Sequence, residues 1–363
     1  MTNSGFIGVD LFAGAGGLSY GLSRAGFNMK LGIEIDPNCA KTLGMNHRNM
    51  TVIVSDIRSV EPTEALKCAG IRKGELTIIV GGPPCRGFSQ SNRRTRDLEN
   101  PLNHLYKEFF RFVEELRPTV FLLENVEGLR TMHSGVIVQD ILRLGEKYGY
   151  HVHWSVVNAE NYGLPQRRKR IIFIGTFTRP ANPLDVEHTE VTTVRQAIDD
   201  LPILENGNRV DLLEYSRSNN LSDYQKMMRE KNGRKARNNL VTQNSALVLE
   251  RYKYVPPGGN WVDIPNRLMY NYRNLRNCHR WIYHRLKWDD SSIAISNFRK
   301  NMLIHPEQDR GLSVREAARL QSFPDHYVFY GPLGSQQQQV ANAVPPLLAQ
   351  QIGSNVIQNI REM

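Results

Sequence analysis

Cysteine is scarce in this 363-residue sequence: Cys39, Cys68, Cys85 and Cys278 are the complete set, and no two of them form a CxxC pair. That argues against a disulfide framework and against a zinc knuckle, and no metal site is expected. No apolar run approaches the roughly 18 residues of a membrane span, so no membrane association is expected either. The opening MTNSGFIGVDLF lacks the basic region and apolar stretch of a signal peptide. A soluble protein of a reducing cytoplasm is the expectation. Internal repeats and long low-complexity tracts are also missing, and QQQQ at 336–339 is too short to count as one.

Acidic residues run short in one place. Residues 217–287 hold 15 Lys and Arg against 4 Asp and Glu, whereas the remainder of the chain holds 31 against 32. A basic segment beside a neutral body suits a module that binds a polyanion, with nucleic acid the first candidate. Aromatics interleave with the charge (Tyr252, Tyr254, Trp261, Tyr270, Tyr272, Trp281, Tyr283, Trp288), which favours binding over mere solubility.

Through residues 1–180, short apolar runs alternate with helical patterns. FIGVDLF (6–12), MKLGIEI (29–35), TVIVSDI (51–57), LTIIVGG (76–82), TVFLLEN (119–125), VHWSVV (152–157) and RIIFIGTF (170–177) read as strands, and HLYKEFFRFVEELRP (104–118) as an amphipathic helix. This rhythm predicts a doubly wound α/β sheet that binds ligands at the carboxyl ends of its strands. After about residue 185 the sequence turns irregular and polar. Helical periodicity resumes in LSVREAARLQSFP (312–324) and QVANAVPPLLAQQIGSNVIQNI (339–360). The expected organisation is an α/β domain over 1–185, an inserted module over 186–305, and a return over 306–363 that completes the first domain.

Three strand ends describe a cofactor pocket. DLFAGAGGLSYGL (10–22) sets Gly14, Gly16 and Gly17 between a strand and a helix, but Ser19 stands where a dinucleotide fingerprint needs its third glycine. Glu34 ends the second strand, where an acid grips ribose hydroxyls. Asp56 ends the third, where a carboxylate can accept from an adenine amino group. A glycine loop with these two acids and no pyrophosphate cradle suits S-adenosylmethionine. In LTIIVGGPPCRGFSQ (76–90), Cys85 lies beyond the apolar run on a stiff Pro83–Pro84 turn. A packing cysteine would sit within the run, so this one reads as a presented nucleophile. Glu124 ends the next strand, where a carboxyl could protonate a ring nitrogen; the alternative is an exposed Glu124 beside a helix-capping Asn125. In GLPQRRKRIIFIG (163–175), Arg168 and Arg170 alternate onto one face and could bring positive charge to the thiol.

DLFAGAGG, GGPPCRGFS, ENVEGL, QRRKR, REAARLQSFPD and QVANAVPP, in that order, resemble the ordered motifs of the DNA (cytosine-5)-methyltransferases of prokaryotic restriction–modification type. The resemblance covers nearly all of 1–180 and 306–363. It implies a Rossmann-like S-adenosylmethionine-dependent methyltransferase sheet with a smaller, irregular target-recognition domain inserted before the C-terminal helices. It implies base flipping out of double-stranded DNA, a covalent bond from Cys85 to carbon 6 of cytosine, and Glu124 supporting protonation at N3, with Arg168 and Arg170 holding the flipped base and nearby phosphate. Phe12, Gly14, Ala15, Gly17, Glu34, Ile35, Asp56, Ile57, Pro84, Leu105, Asn342 and Ala343 match cofactor-pocket positions.

The resemblance also makes residues 86–103, with Arg86, Ser89, Ser91, Arg93 and Arg94, a loop that closes on DNA. In the insert, Arg234, Arg237, Arg273 and Arg276 are candidates for DNA contact. Three positions depart from the family pattern: Arg86 where Gln is usual, Ala341 where Gly is common, and Ala294 where relatives often have Thr. A monomer is expected, with a cognate restriction endonuclease as a functional rather than physical partner. Three other readings stay open: an RNA cytosine methyltransferase, a nucleic-acid-binding relative without catalysis, and a flavin or nicotinamide oxidoreductase.

Overall fold

The computed structural model describes residues 5–84, 101–177, 184, 190–217, 219–229, 233–272, 279 and 281–362. They divide between two compact units: Met1–Tyr162, Lys169–His188 and Val344–Met363 form the first, and Gly163–Arg168 with Thr189–Ala343 form the second. Residues 306–343, expected in the returning part of the first domain, pack within the second unit.

The first unit is built on β1 (Ile7–Leu11), α1 (Gly17–Ala25), β2 (Asn28–Glu34), α2 (Pro37–Asn46), β3 (Thr51–Val54), α3 (Pro62–Cys68), β4 (Leu76–Gly81), α4 (Leu105–Leu116), β5 (Val120–Val126), α5 (Val136–Lys147) and β6 (His151–Asn158). The chain then passes through β7 (Gln166–Arg167), in the second unit, before re-entering the sheet as β8 (Lys169–Thr176). The strand order is β3-β2-β1-β4-β5-β8-β6. Strands β1 to β5 pair in parallel, while β8 runs antiparallel between β5 and β6. Chain order reverses between β1 and β4, which opens a crevice at their carboxyl ends.

The parallel strands are rich in Val, Ile and Leu because both faces are covered. Ile78, Ile79, Val80 and Val120 are fully buried. Helix α4 buries Phe109, Phe110, Phe112 and Val113 on its sheet-facing side, and Phe109 and Phe110 meet Phe121 of β5 edge-on at 6.1 and 5.3 Å. Arg111 on the same helix donates to the carbonyls of Ile57 and Val60, at 2.9 and 3.1 Å. That ties α4 to the segment after β3.

The second unit carries short elements: α6 (Val194–Ile198), β9 (Leu213–Glu214), α7 (Asp223–Met228), β10 (Lys235–Ala236), α8 (Ala246–Tyr252), β11 (Ser292–Ile293), α9 (Phe298–Asn301), α10 (Val314–Leu320) and α11 (Leu333–Asn342). With so little sheet, buried ion pairs organise it. Arg319 forks onto Asp325, with Nε–Oδ1 and Nη2–Oδ2 both 2.6 Å, and also reaches Asp200 at 3.2 Å; all three are buried. Arg310 reaches Glu316 at 2.6 Å in the same way. The helix opening α10 is sealed by a capping box between Ser313 and Glu316.

The C-terminal helix α12 (Pro346–Arg361) belongs to the first unit and lies against α1. Two glycines set how closely they approach. A Cβ on Gly21 would fall 2.3 Å from the Pro346 carbonyl oxygen, and one on Gly353 would fall 2.7 Å from Leu22. No helix among the described residues is long and apolar enough to cross a membrane.

Candidate active site

The glycine loop follows β1 with three residues in the left-handed region: Phe12 (φ 62°), Gly14 (56°) and Gly16 (87°). Glycine adopts this geometry without strain, whereas Phe12 needs its surroundings to hold it. Those surroundings are specific. The Ala13 N–H donates to the Ile33 carbonyl at 3.0 Å, and the Gly14 N–H donates to Glu34 Oε2 at 2.8 Å. The other oxygen, Oε1, accepts from the Asp36 N–H at 2.8 Å. Each Glu34 oxygen thus keeps a lone pair, and a ribose diol offers two O–H donors to match. Burial pushes the Glu34 carboxyl above its ordinary value, opposed by those two N–H donors.

Beneath the loop, Asp10 is buried and accepts from the Ser19 hydroxyl at 2.5 Å. Burial pushes its carboxyl up to about 7, against the Ser19 hydrogen bond and with help from the nearby Glu34 charge. Helix α1 starts at Gly17 with Gly16 as its N-cap, which makes no side-chain bond to the first turn. Ala15 is buried in the turn.

The remaining cofactor candidates fall in varied settings. Ile35 is 62% exposed. Asp56 caps the short turn 57–59 and is gripped by Arg58, Nε to Oδ1 at 3.0 Å and Nη2 to Oδ2 at 2.5 Å. That pairing holds its carboxyl down at about 2. Ile57 and Leu105 are buried in the main hydrophobic core. Asn342 and Ala343 belong to the second unit. There the Asn342 Oδ1 accepts from Gln338 Nε2 at 2.6 Å, and Gln338 in turn accepts from Asn297 Nδ2 at 3.2 Å.

At the carboxyl ends of β4 and β5 a second cluster forms. Glu124 Oε1 lies 2.8 Å from Arg170 Nε, with side chains only 12% and 15% exposed. Burial lowers the Arg170 guanidinium from its ordinary value, and Glu124 partly restores it. Gly82 lies close by, and a Cβ there would sit 3.0 Å from Glu124 Oε2. The second glycine before the proline pair is therefore a clearance for the carboxylate.

Asn125 Nδ2 donates to the Pro83 carbonyl at 3.1 Å, and Pro83 and Pro84 lie beside Tyr106, Leu129, Ile137 and Ile141. Asn125 is thus no helix cap: β5 runs on to Val126, and its side chain pins the turn that leads to Cys85. Cys85, Arg86, Ser89, Ser91, Arg93 and Arg94 lie outside the described residues, as do Arg273 and Arg276.

Arg168 and Arg170, expected on one edge, fall in different units. Arg168 is 2% exposed and donates to the carbonyls of Ile295 (2.8 Å), Ala341 (2.9 Å) and Ala343 (3.1 Å). Its guanidinium holds backbone together. Arg170 alone carries the placement beside Glu124.

The basic excess in 217–287 is likewise only partly superficial. Arg229, Arg251 and Arg285 are interior: Arg229 pairs with Asp200 at 2.6 Å, Arg251 donates to the Leu268 carbonyl at 2.8 Å, and Arg285 to that of Val255 at 2.7 Å. Tyr252 and Tyr283 are core residues, whereas Tyr254, Tyr270 and Trp281 are exposed. Arg234 is exposed, and Arg237 pairs with Asp211 at 3.1 Å on the surface.

Each unit also buries a histidine whose titration shapes stability. Burial pulls His47 in the first unit and His305 in the second down to about 4. A lowered imidazole is neutral in the fold and charged in the unfolded chain, so stability present above pH 6.5 is lost as pH falls towards 4. Asp10 acts oppositely, since its raised value costs stability as pH rises through 7. In the second unit, His305→Gln should therefore shrink the loss of unfolding free energy between pH 7 and pH 5 by about 2 kcal/mol. Urea unfolding of both proteins at the two pH values measures this, and an identical loss would refute it.

A family model for the C-5 cytosine-specific DNA methylases matches residues 6–358. The Type II methyltransferase M1.HphI of Haemophilus parahaemolyticus is 37% identical over 96% of this chain and 86% of its own length. The Type II methyltransferase M.DdeI of Desulfomicrobium norvegicum is 34% identical over 96% and 88%. Among solved structures, a DNA modification methyltransferase encoded within an E. coli prophage superposes with a TM-score of 0.79 at 25% identity, covering 99% of this chain and 100% of that one. With the mostly parallel sheet, the glycine loop and the paired Glu124 and Arg170 in place, the chain belongs to the C-5 cytosine-specific DNA methylase family and is a DNA (cytosine-5)-methyltransferase.

Proposed function

We propose that this enzyme methylates carbon 5 of one cytosine within a short sequence of double-stranded DNA, using S-adenosyl-L-methionine, and protects that sequence as the methylating half of a restriction–modification pair. The observation that carries this reading is the Glu124–Arg170 pair at 2.8 Å, with Glu124 on the strand beside β4, after which the sequence runs through Pro83 and Pro84 to Cys85. S-adenosyl-L-methionine, when bound, supplies the electrophilic methyl group. Glu34 would hold its ribose hydroxyls, with Gly14 and Gly17 allowing close backbone approach and Phe12, Ala15, Ile35, Asp56, Ile57, Pro84, Leu105, Asn342 and Ala343 completing the pocket.

The target carbon is inaccessible in a stacked duplex, so the base must be flipped into the site. Cys85 as thiolate adds to carbon 6, and Glu124 stabilises the ring protonated at N3, which draws the electron pair of the 5,6 double bond towards carbon 5. That pair would form the bond to the methyl carbon as the carbon–sulfur bond breaks, its electrons leaving with S-adenosyl-L-homocysteine. Loss of the carbon 5 proton then expels the Cys85 thiolate and restores the ring. Arg170 orients Glu124 and offers positive charge to the flipped nucleotide. Arg168 acts at one remove, through the backbone that its guanidinium ties together.

Residues 186–305 would form the target-recognition domain between the catalytic segments 1–185 and 306–363. Arg234, Arg237, Arg273 and Arg276 are its DNA contacts in this reading, and Arg86, Ser89, Ser91, Arg93 and Arg94 are those of the catalytic segment's loop 86–103. More of these will meet phosphate than bases. The enzyme would act as a cytoplasmic, nucleoid-associated monomer.

Conversion sequencing of plasmid DNA from cells expressing the chain tests the whole reading. Protected cytosines recurring in one short motif are expected. Uniform conversion, identical to that of an empty-vector control, would overturn it.

A further inference from the structure

The dinucleotide-binding version of this loop places glycine at the position of Ser19 so that helix and strand can pack closely. Here a buried serine occupies it, and its side chain is used. Its hydroxyl donates to Asp10 Oδ2 at 2.5 Å, and its backbone N–H bonds to the same carboxyl. Both residues are buried, at 0% and 1% exposure. Asp10 lies on β1 and Ser19 in the first turn of α1, so the bond joins the two ends of the loop that holds Phe12, Gly14 and Gly16.

That loop stores strain at Phe12, a bulky residue at positive φ. The Ile33 carbonyl, Glu34 and a His47 bond to the Gly16 backbone also hold it. The Asp10–Ser19 bond adds the attachment that ties its strand end to its helix end. Above about pH 7, where Asp10 is ionised, the bond is charge-assisted and away from water, among the stronger hydrogen bonds available, and a loop fixed at both ends pays less ordering entropy when a ligand arrives.

We propose that Ser19, anchored on Asp10, is a positioning residue for the nucleoside cofactor: it locks the loop in the conformation that presents the Gly14 backbone and Glu34 to the ribose. The proposal rests on the reading of this loop as the S-adenosylmethionine site. It also gives Ser19 a positive role, for the same side chain that departs from the dinucleotide pattern is the one that secures the loop.

Calorimetric binding of S-adenosyl-L-homocysteine to the full chain tests it. Ser19→Ala should raise Kd about tenfold, the usual scale for a hydrogen bond to a charged group. The rise should appear in KM for S-adenosylmethionine more than in kcat, and Ser19→Thr, which keeps the hydroxyl, should recover most of it. A purely structural role would lower Tm and leave Kd within twofold of wild type, and that result overturns the proposal. If Ser19→Ala does not fold, Asp10→Asn replaces it: the acceptor survives without its charge, about a threefold rise is expected, and an unchanged Kd overturns the proposal equally. Wild-type protein that fails to bind S-adenosyl-L-homocysteine would sink the reading of the site, and the proposal with it. Wild-type binding with an insensitive Ser19→Ala would sink the proposal alone.

Discussion

Cys85→Ala should lower methyl transfer to duplex DNA by at least about 10⁴-fold, the scale on which removing an enzyme's nucleophile acts. The segment leading to Cys85 gives a reason for so large a loss. Two prolines restrict the chain before it, and the Pro83 carbonyl is held by the buried Asn125 amide at 3.1 Å. Neither of the described cysteines can take over. Cys68 lies at the end of α3, and Cys39 sits in the first turn of α2, where burial pushes its thiol up, away from the reactive thiolate. Cys85→Ser should fare little better, because a hydroxyl is a poor nucleophile without a base to activate it. Binding of S-adenosyl-L-homocysteine should survive in both variants, since the glycine loop and Glu34 hang on other strands. Single-turnover transfer of labelled methyl, beside calorimetry, separates the two effects. Turnover above about one hundredth of wild type in Cys85→Ala would end the covalent mechanism.

The second large effect falls on Glu124. Glu124→Gln keeps the shape and one acceptor oxygen, and Arg170 can still donate to it, so folding should be little disturbed. What is lost is the negative charge that stabilises a protonated ring. A positioned acid–base group contributes about 10² to 10⁴-fold, and kcat should fall in that range. The loss should be larger at alkaline pH, where the ring itself is harder to protonate. A kcat within threefold of wild type would show that Glu124 serves only to orient Arg170. The close fit around it also forecasts that Gly82 cannot be replaced without disturbing this carboxylate, since the added carbon would crowd Oε2.

Much of the first unit was legible because its signals are local. β-branched runs marked β1 to β5, glycines marked the loop where φ turns positive, and Glu34 and Glu124 stood out as acids at the ends of apolar strands. The direction of β8 was not legible, because alternation of apolar residues carries no sense of which way a strand runs. Its place between β5 and β6 is a tertiary fact.

Charge was misread in one respect. Composition counts Arg229, Arg251 and Arg285 as basic surface, whereas each is consumed by interior carboxylates or carbonyls. Arg168 hid in the same way, since nothing in QRRKR distinguishes the arginine that binds backbone from the one that meets Glu124. The helix-cap alternative for Asn125 falls, because its side chain is spent on the Pro83 carbonyl, a contact that an Asn after an apolar run does not announce. QQQQ at 336–339, too short to count as a low-complexity tract, carries packing that its composition does not show: Gln336, Gln337 and Gln339 are buried, and each donates its amide to a partner in the second unit.

The glycine contact between α1 and α12 has a consequence in time. Gly21 and Gly353 are about 330 residues apart in the chain, and translation adds roughly 5–20 residues per second. The helix that follows the first strand must therefore wait roughly a quarter of a minute to a minute on the ribosome before its partner exists. Through that interval the apolar flank around Leu22 has no permanent cover, and the nascent chain depends on its other contacts, or on a chaperone, to keep the flank from a wrong neighbour. The half of the protein that begins synthesis first is among the last to be finished.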